Sequence, residues 1–103
     1  MILEAAWLPV RRGEERAFEA AFAEAQHLLA ATPGYLGHEL QRCLEVEGAY
    51  LLLVRWTDVD AHEIGFRGSD RYPAWKAALH GFYEPAPSVH HFAPVAGDGI
   101  APA

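Results

Sequence analysis

Cysteine is nearly absent: Cys43 is the only one among 103 residues, which excludes an internal disulfide and a metal site built from thiolates. A reducing, cytoplasmic setting fits that scarcity. Positive charge is also sparse, with 8 Lys and Arg against 14 Asp and Glu and a formal net charge of -6. Phosphate contacts need clustered cations, so nucleic acid is excluded as a general partner, and an anionic membrane surface with it. No apolar run approaches the ~20 residues of a membrane-spanning helix. The opening MILEAAWLPVRRG breaks its apolar run at Glu4 and places its basic pair after that run, the wrong order for a secretory signal.

Several chemical signatures are missing too. FRGSD has neither the glycine spacing nor the following lysine of a phosphate loop, and no nucleophile elbow surrounds Ser69 or Ser88. The sequence holds 6 histidines but no His-x-x-x-His spacing. His90 and His91 are adjacent on an expected strand, point to opposite faces and cannot chelate one ion together. His62 and His80 fall on different helical pieces with no obvious acidic third ligand. No metal site is expected from these patterns.

What is present is hydrophobic periodicity. Residues 2–10, ILEAAWLPV, read as a first strand with Pro9 near its end. Phe18, Ala21, Phe22, Ala25, Leu28 and Leu29 recur at helical spacing over 13–32, and Thr32-Pro33-Gly34 ends that helix. YLGHELQRCLEV alternates as a strand, with Leu36, His38, Leu40, Arg42 and Leu44 on one face and Tyr35, Glu39, Gln41 and Cys43 on the other. A turn at Glu47-Gly48 returns the chain into AYLLLVRW, which completes a hairpin. Thr57 is placed to cap a helix from Asp58 to about Phe66, with Asp60 completing a capping box. After a break at 67–69, Tyr72, Trp75, Leu79 and Phe82 form a second helical stripe. Pro85 and Pro87 end it, and SVHHFAPV is the last strand.

The order strand, helix, strand, strand, broken helix, strand is that of an α+β, ferredoxin-like βαββαβ antiparallel sheet with helices on one face. One domain over residues 1–95 and a frayed tail over 96–103 are expected. Leu3, Ala5, Leu51 and Leu53 would lie opposite Ile2, Leu52 and Val54. That leaves an apolar sheet face bare in a monomer, and a homodimer is the simplest cover for it.

Two histidines invite a closer reading. His38 shares its face with apolar neighbours, either as a core histidine with one hydrogen bond or as the wall of a pocket under the helices. His62 lies four residues before Phe66, so it either leans with that ring toward a pocket or stays a surface residue in the first helical turn. His27 reads as a solvated flank. Trp75 is core by periodicity, and becomes pocket lining if the space between sheet and helices is not filled.

PGYLGHELQRCLE, then YLLLVRWTDVDAHEIGFRGSDRYPAW, then a closing strand with a histidine, resemble the antibiotic biosynthesis monooxygenase family of small dimeric α+β barrels. The markers are the Pro-Gly-Tyr turn and the Trp-x-x-x-x-Ala-His helix start, followed by a serine and an aromatic. Some members of that family oxidise small phenols, quinols or anthrones with dioxygen and no metal or flavin, the substrate carbanion donating the electrons. The resemblance therefore implies a small-molecule substrate, no cofactor, a base and an aromatic-lined pocket that excludes water. His62, His38, His80 and His91 are the available bases, and Trp75, Phe66, Tyr72 and Phe82 the available walls. Haem-degrading relatives use an asparagine on the first strand, and Ala6 stands at the matching position here, so haem degradation is the weaker expectation. The family also holds isomerases. From a different class, the rival reading is a non-catalytic small-molecule-binding or dimerisation domain.

Overall fold

The computed structural model describes residues 1–97. Of the expected tail, residues 98–103 lie outside the described residues. The strands are β1 (Ile2–Pro9), β2 (Tyr35–Arg42), β3 (Ala49–Trp56) and β4 (Ser88–Phe92). They form one sheet in the order β2-β3-β1-β4, every neighbouring pair antiparallel. Helices α1 (Glu15–Ala25), α2 (His27–Ala30) and α3 (Arg71–Leu79) accompany a π-helical turn at Ala61–Phe66 and a 3-10 turn at His80–Phe82. This is the ferredoxin-like α+β fold that the element order implies. No described helix is long and apolar enough to cross a membrane.

Strict alternation builds the two central strands. Glu4, Ala6 and Leu8 of β1 and Tyr50, Leu52, Val54 and Trp56 of β3 are buried on one face, where Phe18, Phe22, Leu29, Trp75 and Leu79 of the helices pack on them. Burying a Phe or Leu side chain as fully as Phe18 and Leu79 contributes about 1.5–3 kcal/mol each. Leu3, Leu51 and Leu53 take the intervening positions on the other face, where Trp7 and Phe92 stay exposed. Leu52 is therefore a core residue and Leu53 an outer one.

Four local expectations are corrected. The helix over 13–32 is interrupted at Gln26 because side chains compete for its acceptors. The Gln26 amide donates to the Ala23 carbonyl at 3.1 Å and His27 Nδ1 lies 2.6 Å from the Glu24 carbonyl, the two acceptors that the next backbone amides would use in a continuous helix. Strand β2 stops at Arg42 rather than continuing to residue 46, and a β-bulge between Tyr35 and Gly37 shifts its register. Leu36 is the extra residue, 52% exposed, while Tyr35 pairs with Trp56 and so joins the face of His38. Strand β4 likewise ends at Phe92 rather than running through Pro94.

The fourth correction concerns the helix start before His62. Asp58, not Thr57, supplies the cap: its Oδ1 accepts the Ala61 backbone N–H at 2.8 Å, the geometry of an N-cap to the third helical residue. Thr57 instead donates its backbone N–H to the Gly34 carbonyl at 2.8 Å. Gly34 has φ +89, and a Cβ there would meet Ala61 Cβ at 2.7 Å and Thr57 Oγ1 at 2.8 Å. The Pro-Gly-Tyr turn is thus pressed against the segment that carries His62, and only glycine fits that approach.

Candidate functional site

A cavity of about 300 Å³ lies between the sheet and the helices. Ala6 and Leu8 of β1 and Leu52 of β3 form its floor, and Leu29, Phe66 and Trp75 cover it. The π-helical turn shapes one wall. Its widened winding, in which the Arg67 N–H donates to the His62 carbonyl at 3.0 Å, is a local irregularity of the kind frequent at functional sites. It leaves the His62 and Phe66 rings near parallel, 6.4 Å apart between centroids.

Strand register assembles a buried polar array at this wall. Glu4 is the cross-strand partner of His91 on β4 and of Val54 on β3, and Trp56 lies two residues beyond Val54 on the same face. Trp56 Nε1 donates to Glu4 Oε1 at 2.9 Å. His62 stacks on the Trp56 indole at 5.5 Å, with Nε2 3.4 Å from Glu4 Oε1 and Nδ1 2.8 Å from His91 Nε2. Glu4 is 6% and His62 3% exposed, and both line the cavity.

Burial governs the charge of both groups. Loss of solvent is the main cause that pushes the His62 imidazole down to about 4, helped by the positive charge of Arg67 and by His91. Burial likewise raises the Glu4 carboxyl above its ordinary range, against the opposing hydrogen bond from Trp56 and the charge of Arg67. A salt bridge would have moved each group the other way, so the 3.4 Å contact joins a neutral imidazole to a carboxyl group rather than two full charges. The short bond to His91 engages Nδ1. In the tautomer that donates Nδ1–H to His91, Nε2 carries the lone pair, has no tight partner and can accept a proton. Glu4 Oε1 then stands within reach of the imidazolium.

The structure brings together most of the side chains that the sequence singles out. His62, His80, Phe66, Tyr72 and Trp75 line the cavity, and His91 reaches it through His62. His80 is held below the ordinary histidine range by burial, with Lys76 and Arg67 adding to the effect. His38 and Phe82 are not among the lining residues. His38 bonds the Tyr35 hydroxyl through Nδ1 and Gln26 Oε1 through Nε2, and its ring packs edge-on to Phe22. Phe82 packs on Phe18 at 5.8 Å. His90 points to the outer face, opposite His91. Among the described residues no group of three or more His, Cys, Asp and Glu side chains could hold a metal ion.

Sequence reasoning missed Glu4, Arg67 and Tyr83, all of which line the cavity. Glu4 had a usable signal: it shares the strand face of Ala6 and Leu8, where a carboxylate has no solvent. Arg67 and Tyr83 had none, because each follows the end of a helical pattern where polar and aromatic residues are ordinary.

A four-stranded antiparallel sheet with helices on one face and an aromatic-lined cavity between them is a ferredoxin-like α+β domain. It belongs to the antibiotic biosynthesis monooxygenase family, whose model matches residues 1–78. The chain is 47% identical over 92 residues to the uncharacterised protein YczJ of Bacillus subtilis (strain 168), spanning 89% of this chain and 97% of that one. A Bordetella bronchiseptica protein crystallised as a candidate antibiotic biosynthesis monooxygenase superposes with a TM-score of 0.88 at 35% identity, covering 92% of this chain and 97% of the other. SnoaB, a cofactor-independent oxygenase from Streptomyces nogalater, superposes with a TM-score of 0.81 at 22% identity over 93% of this chain and 94% of its own. At that identity the likeness concerns the fold alone.

Proposed function

We propose that the protein is a cofactor-independent monooxygenase of a small aromatic or quinol-like compound, with His62 as the general base. The observation that carries this reading is a buried imidazole, kept neutral and loosely held at Nε2, on the wall of an aromatic-lined cavity. Some 300 Å³ is at the small end of ligand pockets and suits one compact ring system. In the reaction His62 takes a proton from the substrate, and the resulting carbanion gives its electrons to dioxygen. For a ring CH2 the balance is CH2 + O2 → C=O + H2O, one oxygen atom entering the product and the other leaving as water. Positioned general-base catalysis of this kind supplies about 10²–10⁴-fold. Glu4 stabilises the imidazolium, and His91 fixes the ring. His80 is the second base available to the cavity, and His38 is assigned a structural role. That SnoaB is described as a cofactor-independent oxygenase agrees with the reading.

The test is oxygen uptake by metal-free protein with a panel of hydroquinones and anthrones. Uptake above buffer that falls in His62→Ala supports the proposal. No uptake across the panel favours the non-catalytic binder, and a Soret band bleached by reductant on adding haem would favour haem degradation instead.

We further propose that the working form is a homodimer that buries the outer sheet face. Leu3, Leu51 and Leu53 of that face, with the exposed Trp7 and Phe92, form an apolar surface of the kind monomers rarely leave to solvent. Sedimentation is expected to give twice the chain mass of 11.4 kDa. Leu53→Asp should dissociate the dimer, whereas Leu52→Asp, which places a charge in the core, should unfold the chain. A well-folded wild-type monomer at micromolar concentration would overturn this.

A further inference from the structure

The polar groups at the cavity differ in how they are satisfied. Glu4, His62 and His91 are tied to one another and to Trp56. The remaining polar lining, Arg67, Tyr72, His80 and Tyr83, differs: none of these side chains has a hydrogen-bond or ion-pair partner among the described residues. Tyr83 is the telling member. The residue is 8% exposed, and since no sealed and unpaired side-chain polar atom exists among the described residues, its hydroxyl keeps some contact with solvent. Tyr83 lines the cavity, which is where that contact can be used. A hydroxyl on a cavity wall with no protein partner is free to pair with a ligand.

Three of the groups, Tyr72, His80 and Tyr83, form a contiguous set. The Tyr72 and His80 rings are 6.3 Å apart and those of His80 and Tyr83 5.6 Å apart. Arg67 lines the same cavity, and its positive charge helps to lower both the His62 and the His80 imidazoles. Three of the four can donate hydrogen bonds whatever the pH near neutrality, and one of them carries a full positive charge. Unpaired donors around a cation are the complement of an oxyanion.

We propose that Arg67, Tyr72, His80 and Tyr83 form a subsite for an anionic oxygen group, a carboxylate or an ionised enol, carried on the same ring system whose acidic proton faces His62. The ligand class is then an acidic aromatic compound rather than a neutral quinol. This rests on the cavity being the substrate site, as proposed above, but not on any turnover there. Arg67 fixes the anion, Tyr83 donates to it, and the apolar floor holds the ring.

The experiment measures binding by calorimetry under anaerobic conditions, with two matched pairs of probes: 2,5-dihydroxybenzoate against hydroquinone, and 2-hydroxy-1,4-naphthoquinone against 1,4-naphthoquinone. The anionic member of at least one pair should bind about tenfold or more tightly than its neutral partner, as a charge-assisted bond to a guanidinium implies. A preference in the first pair alone identifies a carboxylate, and in the second alone an ionised enol. Arg67→Gln should abolish the preference and Tyr83→Phe should reduce it several-fold. Equal affinities within both pairs, or a preference that survives Arg67→Gln, overturn the subsite. Anion binding without oxygen uptake by any probe would leave the subsite standing and count against the oxygenase reading alone.

Discussion

His62 and His38 are both enclosed between the sheet and the helices, yet they end in opposite situations. His38 has both ring nitrogens engaged, by the Tyr35 hydroxyl and by Gln26, and burial is the sole cause that lowers its imidazole. It joins the β-bulge at the start of β2 to the break between α1 and α2. His62 has one nitrogen engaged tightly by His91 and the other only loosely opposed by Glu4, and it borders the cavity. Burial and a depressed pKa are therefore common to a bridging histidine and a reactive one. A loosely held nitrogen on a ring that borders a cavity is what separates them.

The largest effect should come from removing the loosely held nitrogen. His62→Ala is expected to lower turnover by about 100-fold or more, the usual yield of a positioned base, while ligand affinity changes little. His38→Ala should leave turnover and affinity unchanged and lower stability instead, because the Tyr35 hydroxyl and the Gln26 side chain lose their partner. Leaving such groups unpaired costs about 1–3 kcal/mol, or several degrees in melting temperature for a domain of this size. Steady-state kinetics beside thermal melts separate the two outcomes. If His38→Ala lost turnover at unchanged melting temperature, the comparison would be inverted and the base would lie at the edge strand.

The sequence made one half of this comparison easier to read than the other. Strands β1 and β3 alternate without interruption, so their buried positions and their antiparallel pairing follow from period two alone. That same alternation marks His90 and His91 as facing apart, as the register has them. In β2 the bulge at Leu36 breaks the parity, which moved Tyr35 to the side of His38 and hid their hydrogen bond. Glu4 was read as an interruption of an apolar run because a lone carboxylate in a strand is usually solvated. Its partners Trp56, His62 and His91 are 52, 58 and 87 residues away along the chain, so only the folded register discloses the array. The helix start before His62 was displaced by one residue for a smaller reason: Thr57 and Asp58 are both good caps, and packing against Gly34 decided between them.

The pH dependence of stability is the smallest effect and the finest test of the buried pair. An unfolded histidine takes up its proton below about 6.5, whereas folded His62 stays neutral down to about 4. Between these values the unfolded chain binds more protons, so the His62 contribution rises with pH and is lost as pH falls. Glu4 acts in the opposite sense. Its carboxyl is raised above the ordinary 4.5, so the folded chain keeps a proton that the unfolded chain has released, and stability falls as pH climbs through that window. The two slopes overlap and oppose each other in the wild type. Glu4→Gln keeps the acceptor for Trp56 but removes the second slope, so its melting temperature should climb more steeply than that of the wild type between pH 4.5 and 6.5, by a few degrees. A wild-type melting temperature that falls as pH rises above 6.5, a fall that Glu4→Gln removes, would mean that Glu4 is ionised beside a charged His62, an ion pair in place of a neutral one. His62 would then need to lose a proton before it could serve as a base.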